Sequence, residues 1–335
     1  MSERFRKVCL YGAGAVGGWL GVGLGAAGCE LSAVARGATL SALKEHGLRV
    51  QEVDAAAGTI ELRHCPVHAS DDPAEFGVQD LVVVAVKAPA LPDIAPRLAP
   101  LLGPDTVVLT AMNGVPWWFM HGFGRAFADH PLKAVDPFGD IAAAIPTERV
   151  IGCVVHASCS QPSPGLVRHH FGQRLIIGEP AGGSSERLWQ LAGLLGRAGF
   201  EAEVSNQIQK DIWFKLWGNM TVNPVSAITG ATTDLILDDD LVRNFLSAVM
   251  LEAREIGARI GIPIAQQPED RHDVTRKLGA FKTSMLQDAE AGRAVELDAL
   301  VGAVRELGQL TGVATPFTDA LLGLARLHAH VHNLY

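Results

Sequence analysis

Six residues, Gly12-Ala13-Gly14-Ala15-Val16-Gly17, constrain this chain more than any other stretch. They form a GxGxxG turn directly after the apolar run Val8-Cys9-Leu10-Tyr11. In a strand-turn-helix unit the first glycine permits the tight turn. The second lets a pyrophosphate approach the backbone, and the third lets the helix pack on its strand. The unpaired N–H groups at the helix start then face the phosphates. Taken alone, the hexamer is as compatible with a flexible loop. The context decides, because the segment from Gly18 to Ala27 is small and apolar, and a second apolar run from Leu31 to Ala35 follows at βαβ distance. The reading is a Rossmann-type dinucleotide-binding domain, with Gly12, Ala13, Gly14, Ala15, Val16 and Gly17 as cofactor-binding residues.

About 20 residues beyond such glycines, an NAD-specific domain offers Asp or Glu to the ribose hydroxyls. Here Arg36 stands at the end of the second strand, and Glu30 lies at its other end. A guanidinium can pair a 2′-phosphate through two hydrogen bonds. The expected cofactor is therefore NADP(H) rather than NAD(H), the alternative being a solvated surface arginine.

A length of 335 residues suggests two domains, and 48% hydrophobic residues against 19% charged can bury a sizeable core. The net charge of −8 offers no global attraction to nucleic acid or to an anionic membrane, so neither is an expected partner. Five scattered cysteines without a CxxC pair fit a reducing cytoplasm better than a disulfide scaffold, and they offer no metal framework. The uncharged stretch from Val8 to Cys29 is as long as a membrane span but holds the glycine turn. A soluble cytoplasmic protein is expected.

Two β-branched runs, Asp80 to Val86 and Thr106 to Thr110, read as buried parallel strands. Lys87 and Asn113 fall just past their ends, on the sheet edge where open α/β folds bind ligands. Both are candidates for the nicotinamide side; a turn lysine and a turn asparagine are the alternatives. Further strands are expected over Val150 to Ala157, Gly165 to His169, Leu175 to Gly178 and near Glu203, with a short strand-like stretch broken by Gly and Asp turns over Gly47 to Leu62 and a helix from Glu186 to Ala198. From Ile208 onward the periodicity is helical, over Ile208 to Val222, Leu241 to Ile260, Arg271 to Glu290, Glu296 to Gly308 and Thr315 to His328. The fold class is thus α/β plus all-α, with a dinucleotide-binding domain over 1–206 and a helical domain over 207–335.

Within the first of these helices Lys215, Asn219 and Asn223 are four residues apart and share one face, while Trp213, Phe214, Leu216, Trp217, Met220 and Val222 supply apolar surface on the other sides. A helix apolar over most of its circumference is buried, so its polar stripe is expected to line a cleft. The alternative is a stripe facing solvent. Pro224 is expected to end or kink the helix.

These motifs together resemble the ketopantoate reductases (2-dehydropantoate 2-reductases) essentially from end to end. The resemblance is carried by the glycine turn, Arg36, Val86-Lys87-Ala88, Asn113-Gly114, the helix WFKLWGNMTVNPVSAI from Trp213 to Ile228, and SMLQDAEAGRAVELD from Ser284 to Asp298. The last two are specific in combination. The resemblance implies NADPH-dependent reduction of 2-dehydropantoate to pantoate, a step towards pantothenate. It implies Lys215 as general acid, Asn219 and Asn223 orienting the substrate oxygens, and Ser284 on the substrate carboxylate. Glu296 would hold the substrate hydroxyl and fix Lys215, while Lys87 and Asn113 would stand at the nicotinamide end. Without the resemblance Ser284 and Glu296 would read as solvated helix residues.

The chain departs from the pattern at Val295 and Val301, where relatives often carry threonine and asparagine, and in a longer segment after Asn113-Gly114 that contains Trp117 and Trp118. These tryptophans read either as substrate contacts or as core or subunit-interface residues. A reductase of a different small 2-oxo acid and a non-catalytic NADP(H)-binding protein are the competing readings, and a homodimer is the assembly to test. His328, His330 and His332 read as a frayed, solvated tail rather than a metal site.

Overall fold

A computed structural model describes residues 4–54 and 58–335. Close contacts divide the chain into two units. One contains the segments up to Val86, Ala90–Met112 and Asp140–Ile208; the other contains Lys87–Pro89, Asn113–Gly139 and Gln209–Tyr335. The final crossing is thus between Ile208 and Gln209, and two short segments from the first half of the chain join the helical unit, which a single boundary after residue 206 does not anticipate.

The first unit is built on β1 (Lys7–Tyr11), α1 (Ala15–Ala26), β2 (Glu30–Val34), α2 (Gly37–His46), β3 (Leu48–Asp54), β4 (Thr59–Cys65), β5 (His68–Ser70), β6 (Gln79–Val84), α3 (Leu91–Ile94), β7 (Leu102–Thr110), α4 (Asp140–Ala144), β8 (Val150–Ser163), β9 (Leu166–Gly178), α5 (Glu186–Arg197) and β10 (Glu201–Val204). Its strands form one sheet in the order β4-β3-β9-β8-β7-β6-β1-β2-β5, with β10 on β9. The run β5-β2-β1-β6-β7-β8 is parallel throughout, the doubly wound order of a dinucleotide-binding domain. Where separate strands are expected over Gly165 to His169 and Leu175 to Gly178, the chain makes one long strand. It pairs antiparallel with β8 and in parallel with β3 along its first half and β10 along its second.

That long hairpin explains α1. The helix is apolar on every face because β3, β4, β8, β9 and α5 pack on it in addition to β1 and β2. Its glycines make room for them. A Cβ on Gly21 would lie 2.4 Å from a Leu10 methyl, and one on Gly25 would lie 2.1 Å from the Cys65 sulfur.

The second unit consists mainly of α6 (Ile208–Thr229), α7 (Thr233–Asp238), α8 (Asp240–Ile260), α9 (Pro268–Arg276), α10 (Ser284–Glu290), α11 (Ala303–Thr311) and α12 (Pro316–Val331). The expected helix from Arg271 to Glu290 is two helices. Gly279 adopts φ +64°, and Thr283 caps α10 by accepting from the Leu286 amide. Helix α6 does not end at Pro224 but continues to Thr229. Proline removes one intrahelical donor, yet Val222, Asn223, Val225 and Ser226 are all buried there, and that packing holds the turn in place. The last expected helix of the 296–308 region opens with a π-helical turn, Asp298–Gly302, before α11.

The C-terminus is not a frayed tail. Leu334 is 3% exposed, its carbonyl accepts from the Val295 amide, and the Tyr335 hydroxyl donates to Asp298. Leu334 lines a small cavity together with Val295, Leu297 and Ala329, and its amide donates to the Ala329 carbonyl at 2.8 Å, which ties down the histidine-bearing turn before it. Trp117 and Trp118 belong to the core of the helical unit, at 7% and 2% exposure. Among the described residues no helix is long and apolar enough to cross a membrane.

Candidate active site

The glycine turn has the geometry of a phosphate cradle. Gly12 adopts φ +102°, and a Cβ there would lie 2.8 Å from the Ala85 carbonyl oxygen. At Gly17 a Cβ would fall 1.9 Å from the Gly12 oxygen, so any side chain would push α1 off its strand. At Gly14, by contrast, a Cβ would meet nothing within 4 Å. That open space is what a pyrophosphate needs. The Gly18 amide makes the bond back to Gly14. The amides of Ala15, Val16 and Gly17 come before it and have no acceptor within the helix. A groove of roughly 200 Å³ opens here, lined by Gly12, Ala13 and Gly14 on one side and by Arg36 and Thr39 on the other. Arg36 is the exposed residue preceding α2. The residues present fit a dinucleotide with an anionic group near Arg36.

A second cluster lies wholly within the helical unit. Lys215, half-buried on α6, donates from Nζ to Oδ1 of Asn113 at 3.0 Å. The next two residues hold Asn113 in place. Gly114 adopts φ +82° with Ala299 so close that a Cβ would lie 2.7 Å from it, and the Val115 amide donates to the Ala299 carbonyl at 2.8 Å. Asn219, half-buried, and Asn223, 8% exposed, continue the α6 stripe towards its C-terminal end. Burial along the stripe increases, from the half-buried Lys215 and Asn219 to the buried Asn223.

Lys87 makes its own ion pairs. Its Nζ lies 2.5 Å from Asp288 Oδ2 and 3.4 Å from Glu296 Oε2, and Glu296 Oε1 accepts from the Ala88 amide at 3.0 Å. Asp288 also accepts from Arg293 Nε at 3.0 Å. Burial pulls the Lys87 ammonium towards neutrality, but the Glu296 and Asp288 carboxylates and their hydrogen bonds outweigh it and raise its pKa above the usual lysine value. Lys87 therefore carries its charge.

Glu296 thus accepts from both Lys87 and the Ala88 amide, and Asn113 accepts from Lys215. The Lys87–Pro89 segment belongs to the helical unit and places its amide and ammonium on Glu296. Ser284 sits exposed at the first turn of α10. Sequence reasoning missed Asp288, buried at 5% exposure. Nothing in the sequence distinguishes it from other helix acids; its meaning comes from Lys87 across from it.

Residues 8–182 match the family described as Ketopantoate reductase PanE/ApbA, and residues 207–329 the one described as Ketopantoate reductase PanE/ApbA C terminal. A 2-dehydropantoate 2-reductase of Mesorhizobium japonicum is 45% identical over 330 residues, which cover 98% of this chain and 99% of the relative. A crystal structure from Ralstonia solanacearum MolK2, provisionally described as a ketopantoate reductase, is 56% identical with a TM-score of 0.93, covering 99% of this chain and 100% of that one. The 2-dehydropantoate 2-reductase of Geobacter metallireducens GS-15 is 25% identical with a TM-score of 0.82, covering 96% and 99%. With nearly its whole length accounted for in this way, the chain belongs to the ketopantoate reductase family of oxidoreductases.

Proposed function

We propose that the chain reduces 2-dehydropantoate to pantoate, a step towards pantothenate, with NADPH as its cofactor and Lys215 as the general acid. The observation that carries this reading is the Lys215–Asn113 pair at the head of the Asn219–Asn223 stripe. Bound NADPH would supply a hydride to the keto carbon. The chain's own residues handle the charge and the proton. Negative charge develops on the keto oxygen, and a nearby ammonium both stabilises it and donates a proton. Lysine is protonated at neutral pH, which suits an acid in the reducing direction. Asn113 accepts from one of the ammonium's three N–H groups and so fixes its direction.

In this reading Asn219 and Asn223 orient the substrate oxygens, Ser284 takes the carboxylate, and Glu296 meets the substrate hydroxyl while anchoring Lys87 and Ala88. Arg36 selects NADPH over NADH. A homodimer is part of the reading, with the apolar residues exposed along α12 as the surface it would cover. Reduction of a different small 2-oxo acid is the second reading. Val295 and Val301 favour it, since both are buried and apolar at positions where the resemblance implies polar residues.

The test is the initial rate of NADPH oxidation with 2-dehydropantoate beside a panel of 2-oxo acids, for the wild type and Lys215→Ala. If positioned proton donation contributes about 10²–10⁴-fold, the variant loses that much kcat and keeps its NADPH affinity. A fully active Lys215→Ala enzyme sinks the general-acid role. A higher kcat/KM for another acid replaces the substrate but not the chemistry.

A further inference from the structure

The cofactor groove holds a polar group that the glycine turn and Arg36 leave unexplained. Tyr11 is the last residue of β1, in register with Val34 at the end of β2 and Val84 at the end of β6. Val8 and Leu10 belong to the core shared with α1, so strand alternation puts the Tyr11 ring on the opposite face of the sheet. The ring lines the groove in the company of Ile94 and Arg97. Tyr11 is 3% exposed, and its hydroxyl meets no hydrogen-bond partner among the described residues. A buried phenol without a partner is uncommon and costly unless a ligand completes it.

Its neighbours are cationic. Arg97, on the short helical segment Ala95–Leu101, is anchored by donating from Nη2 to the Asp71 carbonyl at 2.6 Å, just after β5. β5 is the strand beside β2, at whose end Arg36 stands, so the two guanidinium-bearing residues border the same groove. Burial raises the Tyr11 pKa, and the charges of Arg97 and Arg36 oppose that rise without cancelling it. The phenol therefore stays a neutral O–H donor at neutral pH. Directly after Arg36 begins α2. Its Arg36 N-cap makes no side-chain cap, and the Gly37, Ala38 and Thr39 amides precede the first helical bond, from Leu40 to Arg36.

We infer that Tyr11 and Arg97 complete, with Arg36, a socket for the 2′-phosphate of the cofactor's adenosine ribose. The proposal rests on reading the groove as the site of NADPH. A phosphate monoester offers three terminal oxygens with two negative charges. Here two guanidiniums meet the charge, and a buried phenol supplies a directional donor that only a ligand satisfies. Selection of NADPH then does not hang on one exposed arginine.

The experiment is calorimetric binding of adenosine 2′,5′-bisphosphate and of AMP, which lacks the 2′-phosphate, to the wild type, Tyr11→Phe and Arg97→Met. Tyr11→Phe keeps the ring and removes only the hydroxyl, so the fold is preserved. The expected result is that each variant binds the bisphosphate about tenfold or more weakly, the loss of a hydrogen bond to a charged group, while AMP binding is unchanged. Equal weakening for both ligands places the phenol against adenine or the 5′-phosphate and overturns the assignment. So does a wild-type preference for the bisphosphate that Tyr11→Phe leaves intact; NADPH as cofactor then survives. A wild type that does not distinguish the two ligands overturns the socket and the choice of NADPH together, while the Lys215 assay still reports on the chemistry.

Discussion

At the level of single residues, the two glycines of the turn that look interchangeable in the sequence have opposite roles. Gly17 is required by the protein itself, since a Cβ there would lie 1.9 Å from a backbone oxygen. Gly14 has φ −79° and open space, which an alanine tolerates in the free protein. Gly17→Ala is therefore expected to destabilise by about 1–3 kcal/mol, as overpacking does, whereas Gly14→Ala keeps wild-type stability and loses dinucleotide affinity. Urea unfolding paired with a cofactor titration checks both; wild-type dinucleotide affinity in Gly14→Ala would show that no phosphate approaches there. The glycines were legible because their demand is local. Asp288 and Tyr11 were not, because an acid on a helix and a tyrosine in a strand acquire meaning only from what lies across from them.

Helix α6 shows why element ends were less legible than element types. A proline predicts a stop or a kink from local chemistry, and at Pro224, buried on both sides, the helix does not stop. The break between α9 and α10 shows the reverse, where Gly279 and the Thr283 cap interrupt a continuous periodicity. On α9, against α8, sits His272, 3% exposed, with Nε2 2.9 Å from the Ser247 hydroxyl. Burial lowers its pKa below 6.5, Arg243 and Arg276 assist, and Glu269 and Asp273 oppose. The unfolded chain therefore takes up this proton at a higher pH than the folded one. Stability from His272 is present above the unfolded value and lost as pH falls through the folded value. His272→Gln is expected to flatten the acid side of the stability profile relative to wild type. Parallel profiles from denaturant unfolding across that range would exclude His272 as the source.

On the scale of the whole chain, Phe317, Leu324, Leu327 and Val331 lie along one side of α12 and are 46–68% exposed. Such a stripe is larger than scattered surface leucines require and suits an interface. Analytical ultracentrifugation is expected to find a dimer that Leu324→Glu with Leu327→Glu converts to a monomer; a wild-type monomer at micromolar concentration would remove the proposed assembly. What the sequence determined by itself was the βαβ opening, the split into α/β and helical parts, and the α6 stripe. Periodicity, glycines and caps act over a few residues and so are written in order. The tertiary structure alone decided which partner each lysine meets. Lys87 and Asp288 are 201 positions apart and Lys215 and Asn113 are 102 apart, so their pairing depends on where the chain returns after folding rather than on any local preference.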